Sequence, residues 1–102
     1  MQCPITYRVA GSLRWRQGVC QNIGGGGMSV AVGEPLQARA ILELVLRMTG
    51  TPPFQAMGQL RRQTKTAIGV WHIGVELLAM DEPQRFTEVL CERLLEGELK
   101  RL

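Results

Sequence analysis

The residues on which metal, disulfide and catalytic sites depend are scarce in this chain of 102 residues. It contains one histidine, His72, and three widely spaced cysteines, Cys3, Cys20 and Cys91, without a CxxC pair. Zinc sites and disulfide frameworks need closer sets, which argues against both. Because no carboxylate and nucleophile pattern accompanies His72, we expect no enzymatic activity, no catalytic residue, no metal ion and no cofactor.

Aromatic residues and long apolar runs are also few. The five aromatic side chains are not clustered on one predicted strand pair, so we expect no nucleic-acid partner. No apolar stretch approaches the roughly 20 residues of a membrane span, and no membrane insertion is expected. The N-terminus lacks a charged segment leading into an apolar one, the pattern of a secretory signal, so the expected location is the cytoplasm.

The overall composition indicates one globular domain with a modest core, since 45% of the residues are hydrophobic and 21% are charged. The net charge is +3 and the pI is near 9.1, which favours an anionic partner. Ten of the twelve cationic residues are arginine, the residue that suits bidentate contacts to phosphate or guanine.

Alternating apolar and polar residues predict a mostly β fold up to Leu78. The first strand is Ile5–Val9, in which Ile5, Tyr7 and Val9 share one face. The other predicted strands are 19–23, 28–32, 40–48, 54–62 and 67–78, the last of which is one strand or a pair. Gln63–Thr66 is predicted to be a polar turn.

The region after Leu78 has helical spacing instead. Asp81 is suited to the N-cap and Pro83 to the first turn. The apolar residues Phe86, Val89, Leu90 and Leu94 are predicted to cover one end of the strands, with Phe86, Leu90 and Leu94 buried. A second stripe at Leu95, Leu99 and Leu102 is either a contact surface or a frayed end.

The chain is organised around Gly18–Val32, where two short apolar runs flank four consecutive glycines. Glycine has no Cβ and tolerates positive φ, so such a loop can turn tightly and let a ligand contact the backbone. The alternative is a flexible turn without a ligand. Nearby, Trp15 between two arginines either stacks on a base or covers the mouth of a barrel.

The segment Asn22–Val30, which reads NIGGGGMSV, resembles the (D/N)-x-S-x-x-G segment of PilZ domains, small bacterial β-barrels that bind cyclic di-GMP. Three later segments keep the order and spacing of that family: Pro35–Leu46, Ala56–Arg62 (AMGQLRR) and Trp71–Arg85 (WHIGVELLAMDEPQR). The resemblance extends over roughly residues 5 to 95, which makes it more specific than any single motif.

The resemblance implies a small antiparallel β-barrel of six or seven strands at about residues 5–78, one C-terminal helix at about 82–96 and a tail at 97–102. It also decides how Ala38–Met48 is interpreted, because these good helix formers suit a helix as well as a strand. The family requires a strand, in which Leu42, Leu44 and Leu46 face inward.

The resemblance further implies a non-enzymatic signalling module that binds cyclic di-GMP and relays to an unidentified protein partner. The implied ligand-binding residues are Asn22, Gly24, Gly25, Gly26 and Gly27. Two features depart from the family: Gly24 replaces its serine, and its R-x-x-x-R pair is absent. Arg8, Arg14 and Arg16 are the candidate substitutes, with Arg61 or Arg62 also considered. The alternative is a degenerate adaptor that no longer binds nucleotide and acts only by protein–protein interaction.

Overall fold

A computed structural model of the chain describes residues 3–24, 26–85 and 88–89. The strands within these residues are β1 (Cys3–Val9), β2 (Arg16–Ile23), β3 (Gly27–Val32), β4 (Ile41–Leu46), β5 (Phe54–Ala67) and β6 (Val70–Met80). Residues 83–85 and 88–89 are helical and are named α1. The predicted fold, a mostly β barrel with one helix near the C-terminus, is therefore confirmed, with six strands.

The six strands form a closed barrel in the order β1-β2-β3-β6-β5-β4, and every neighbouring pair is antiparallel. Alternate residues of each strand point inward, so the core consists of apolar side chains from all six strands. Closure pairs the outer strands β1 and β4 with each other, which removes the free edges that an open sheet would expose.

The antiparallel order sorts the connections into two groups. The connections at residues 10–15, 33–40 and 68–69 lie at one end of the barrel, here named the hairpin end. The connections at residues 24–26 and 47–53, together with α1, lie at the opposite end, here named the glycine end.

The ambiguous segment Ala38–Met48 contains strand β4, so its helical alternative is wrong. Leu42, Leu44 and Leu46 are buried, with at most 3% of their surface exposed, as the alternation predicts. Burial in the barrel overrides the helix propensity of these leucines, because their period of two fits only a strand with one face on the core.

The predicted turn at Gln63–Thr66 is wrong, since β5 continues through it to Ala67. The chain turns instead at Ile68 and Gly69, where Gly69 has a φ of 72°. The side chain of Gln63 makes two hydrogen bonds to the backbone of Leu36. Its Nε2 donates to the Leu36 carbonyl at 2.7 Å, and its Oε1 accepts from the Leu36 N–H at 3.0 Å. Both faces of this hairpin are largely exposed, so its strand residues are polar. A polar segment of a strand has the same composition as a turn, which is why the sequence placed the turn too early.

The chain after β6 contacts the start of β5 and the connection that precedes it, at the glycine end. The Asp81 carboxylate accepts a hydrogen bond from the backbone amide of Gln55 at 2.8 Å. Asp81 thus contacts β5 rather than serving as the predicted N-cap. The Arg85 guanidinium lies over the Phe54 ring, 3.9 Å from its centroid. Val89 packs against the core. The predicted burial of Phe86, Leu90 and Leu94 and the stripe at Leu95, Leu99 and Leu102 lie outside the described residues.

We expect Gly58→Ala to destabilise the barrel, because an added Cβ would overlap the Val75 side chain and lie 3.0 Å from the Glu76 carbonyl oxygen. Overpacking of this kind costs about 1–3 kcal/mol of unfolding free energy, measured by urea denaturation. The matched control is Gly33→Ala, where the nearest atom, the Gly69 carbonyl oxygen, is 3.8 Å from the added Cβ. Equal losses in both variants would contradict this packing.

The thiol of Cys20 is fully buried opposite Cys3 on the neighbouring strand, and burial raises its pKa to about 12. Thiolate is the reactive form, and its fraction at neutral pH is therefore very small in the folded chain. We expect iodoacetamide to leave Cys20 unmodified in the folded protein at pH 7 and to modify it in denaturant, as followed by peptide mass spectrometry. Equal rates in the two states would contradict the burial.

Candidate ligand-binding site

The glycine loop, Gly24–Gly27, connects β2 to β3 and is attached to β6. The Gly24 amide donates to the Gly27 carbonyl at 2.9 Å, which closes the loop on itself. The Gly26 carbonyl accepts from the Leu77 amide at 2.9 Å, and Gly27 pairs with Glu76. Among the described residues other than Gly26 and its chain neighbours, no atom lies within 4 Å of the position that a Cβ on Gly26 would occupy. The space beside the Gly26 backbone is therefore not filled by another described side chain.

Asn22 stands at the start of this loop. It pairs with Ser29 on β3 and is half-buried. The register between β2 and β3 shifts between Cys20 and Asn22, which is the mark of a β-bulge. Bulges change the direction of a side chain and are frequent beside binding sites. The structure thus brings Asn22 together with the glycine loop, while Gly25 lies outside the described residues.

Arg61 is the cation that the structure connects to the loop. Its Nη2 lies 2.9 Å from Oε2 of Glu76, the residue that pairs with Gly27. Both side chains of this ion pair are about half exposed, at 47% and 46%. The sequence suggested Arg61 only as one of several substitutes, because its proximity to the loop depends on the pairing of β3 with β6 and of β6 with β5.

Arg14 and Arg16 are not close to the glycine loop. Both lie at the hairpin end, where Nη2 of Arg14 and Nε of Arg16 are each 3.3 Å from Oε1 of Glu34. Strand β2 runs six residues from Arg16 to Asn22, which corresponds to about 20 Å at a rise of about 3.3 Å per residue. The structure therefore separates these two predicted site residues from Asn22 by the length of the barrel.

Arg8 occupies a third position, on the outside of β1. Its Nε and Nη2 donate to the two carboxylate oxygens of Glu43, and its guanidinium lies 4.5 Å from the centroid of the Trp15 ring. The hydrogen bond from Arg8 lowers the pKa of the Glu43 carboxyl. These side chains form one wall of a groove of about 460 Å³, whose other walls include Met57 and Ala79.

The three predicted arginines are thus each paired with a carboxylate. Ion pairs at a protein surface contribute little to stability, so their existence does not prevent an anion from recruiting an arginine. Distance is the stronger constraint, because Arg14 and Arg16 lie at the other end of the barrel from the loop. Arg61 is better placed than either.

Metal and membrane features can also be assessed in the part of the chain that the structure describes. There, no group of three or more His, Cys, Asp and Glu side chains is arranged to hold a metal ion. Within the same residues, no helix has the length and apolar character needed to cross a membrane.

Comparison with known protein families gives a match over most of the chain. A family model of the PilZ domain matches residues 1–97. No curated protein matches the chain significantly. The matched range includes all six strands, the glycine loop between β2 and β3, and the described residues of α1. Since the match extends over nearly the whole sequence, the chain belongs to the PilZ domain family.

Proposed function

We propose that this PilZ domain is a non-enzymatic signalling module of the bacterial cyclic di-GMP system. It binds cyclic di-GMP at the loop from Asn22 to Gly27 and relays binding to a protein partner in the cytoplasm. Family membership supports the pathway. The observation that carries the proposal for this chain is the open glycine backbone at Gly26, which lies beside a half-buried asparagine.

The chemistry of the loop suits the ligand. Cyclic di-GMP presents two guanines and two phosphates, with a charge of −2. The Asn22 amide can donate to and accept from a guanine edge, and backbone without a Cβ admits a phosphate or a base at close range. Gly24 lacks the hydroxyl of the family's serine, and a hydrogen bond of that kind contributes about 1 kcal/mol.

Arginine placement makes the expected binding weak. Arg61 forms an ion pair with Glu76, the residue that pairs with Gly27 of the loop. The Glu76 carboxylate therefore partly neutralises the positive charge that Arg61 could offer to a phosphate. Arg14 and Arg16 lie at the hairpin end and pair with Glu34. Each 1.4 kcal/mol of lost interaction lowers affinity about tenfold, so a site without an arginine pair on the two phosphates binds far less tightly than one that has it.

A second candidate function is favoured by the same ion pairs. Arg8 pairs with Glu43, and Arg14 and Arg16 share Glu34, so each of the three contacts a carboxylate of this chain without a ligand. A domain of this kind suits an adaptor that contacts only a protein partner and binds no nucleotide. The two candidates differ in a single measurable property, the affinity for cyclic di-GMP.

We expect calorimetric titration with cyclic di-GMP to show weak binding that responds to the loop. Gly24→Ser should increase affinity about fivefold by adding a hydroxyl near the ligand. Gly27→Val should abolish binding by blocking approach to the backbone, and Arg61→Gln should weaken it. Lys65→Gln is the matched control for Arg61, because it removes a cation from the same strand near the hairpin end.

The adaptor is distinguished by the absence of any nucleotide-dependent heat. If Gly24→Ser, combined with an R-x-x-x-R pair introduced ahead of Ile5, still binds no cyclic di-GMP, the receptor proposal is wrong and the adaptor stands. Circular dichroism of each variant verifies that the barrel is intact.

A further inference from the structure

Among the large apolar side chains of the described residues, Ile68 and Leu13 are the most exposed. Ile68 is 96% exposed in the turn between β5 and β6, and Leu13 is 91% exposed in the connection between β1 and β2. Isolated surface leucines are common, but side chains this exposed at the tips of two hairpins contribute nothing to the core. Both side chains are therefore available for a contact outside the chain.

Both tips belong to the hairpin end, and β3 lies between the two hairpins in the strand order. The loop after β3 connects them: Glu34 pairs with Arg14 beside Leu13, and a Cβ on Gly33 would lie 3.8 Å from the Gly69 carbonyl oxygen beside Ile68. Three strand spacings separate the two hairpins along the barrel wall, about 14 Å at roughly 4.8 Å per spacing, which is half the way around the six strands.

The hairpin end is also positively charged. Its cations are Arg14, Arg16, Arg39 and Lys65, and Glu34 is the only carboxylate among residues 10–16, 33–40 and 63–72. Trp15, two residues after Leu13 in the same connection, is 44% exposed. An indole ring with one apolar and one polar edge suits the boundary between water and lipid headgroups.

We propose that the hairpin end docks on an anionic lipid surface, with Leu13 and Ile68 entering the boundary between headgroups and acyl chains. Two separate apolar tips among cations fit this partner, since the tips reach lipid while the cations meet anionic headgroups. A protein interface instead gathers its apolar side chains in a contiguous centre from which charges are depleted.

The magnitudes require both features together. Each basic residue near an anionic membrane contributes roughly fivefold to the partition constant, and each buried leucine or isoleucine contributes about tenfold or more. Neither the few cations nor the two tips suffice alone, so binding should depend on anionic lipid and on both apolar side chains.

The test is sedimentation of the purified chain with lipid vesicles in the absence of nucleotide, so that its result does not depend on the proposed cyclic di-GMP site. We expect binding to phosphatidylcholine vesicles that contain about one quarter phosphatidylglycerol, and little binding to phosphatidylcholine alone. The bound fraction should fall as salt is raised, because screening weakens the attraction to headgroups.

Matched variants connect this binding to the hairpin end. The double substitution Leu13→Ser and Ile68→Ser should reduce partitioning about 100-fold. Its control, Met57→Ser with Leu78→Ser, removes apolar side chains that are 42% and 50% exposed elsewhere on the barrel, and should leave partitioning unchanged.

A second pair of variants tests the charge. Lys65→Gln should weaken binding about fivefold. Arg47→Gln, at the exposed start of the connection after β4 at the glycine end, should not weaken it.

Three outcomes would overturn the proposal. The first is no binding to the anionic vesicles, and the second is equal loss in the test and control variants. The third is a dimer in solution that Leu13→Ser and Ile68→Ser dissociate without any vesicle binding, which would identify the tips as a protein interface.

Discussion

The pairing of β1 with β4 is the constraint on which the rest of the structure depends. Strand β1 is first in the chain and β4 follows the long connection 33–40, yet Ile5 pairs with Leu46 and Val9 with Leu42. This pairing closes the barrel and gives every strand two neighbours around one core. Because all neighbouring strands are antiparallel, the glycine loop and the two exposed hairpin tips lie at opposite ends of the closed barrel.

Closure also explains which parts of the structure the sequence could predict. The period of two in Leu42, Leu44 and Leu46 reports a local property, the burial of one strand face, and the structure confirms it. The extent of β5 was not predictable from the same pattern, because residues 63–67 belong to a hairpin without a strongly buried face. There, backbone pairing with β6 decides the structure rather than hydrophobic alternation.

The arrangement of the candidate site depends on non-local pairing to a greater degree. Sequence proximity grouped Arg14 and Arg16 with the glycine loop, whereas antiparallel pairing places them beside Glu34 at the other end. Arg61 is distant in sequence but joins the loop through Glu76. A sequence motif thus selected the glycine loop as the candidate site, but the choice of cation beside it required the order of the strands. The proposed ligand site at the glycine end and the proposed lipid contact at the hairpin end are compatible, because the length of the barrel separates them.

The most direct test of the proposed ligand site is residue-resolved NMR of the isotope-labelled chain during addition of cyclic di-GMP. If cyclic di-GMP binds at the glycine loop, we expect the amide resonances of Asn22 and of the glycines from Gly24 to Gly27 to shift first, together with those of Arg61 and Glu76. Resonances at Leu13 and Ile68 should stay in place. Shifts centred on Arg14 and Arg16 at the hairpin end, or no shifts at any ligand concentration, would contradict it.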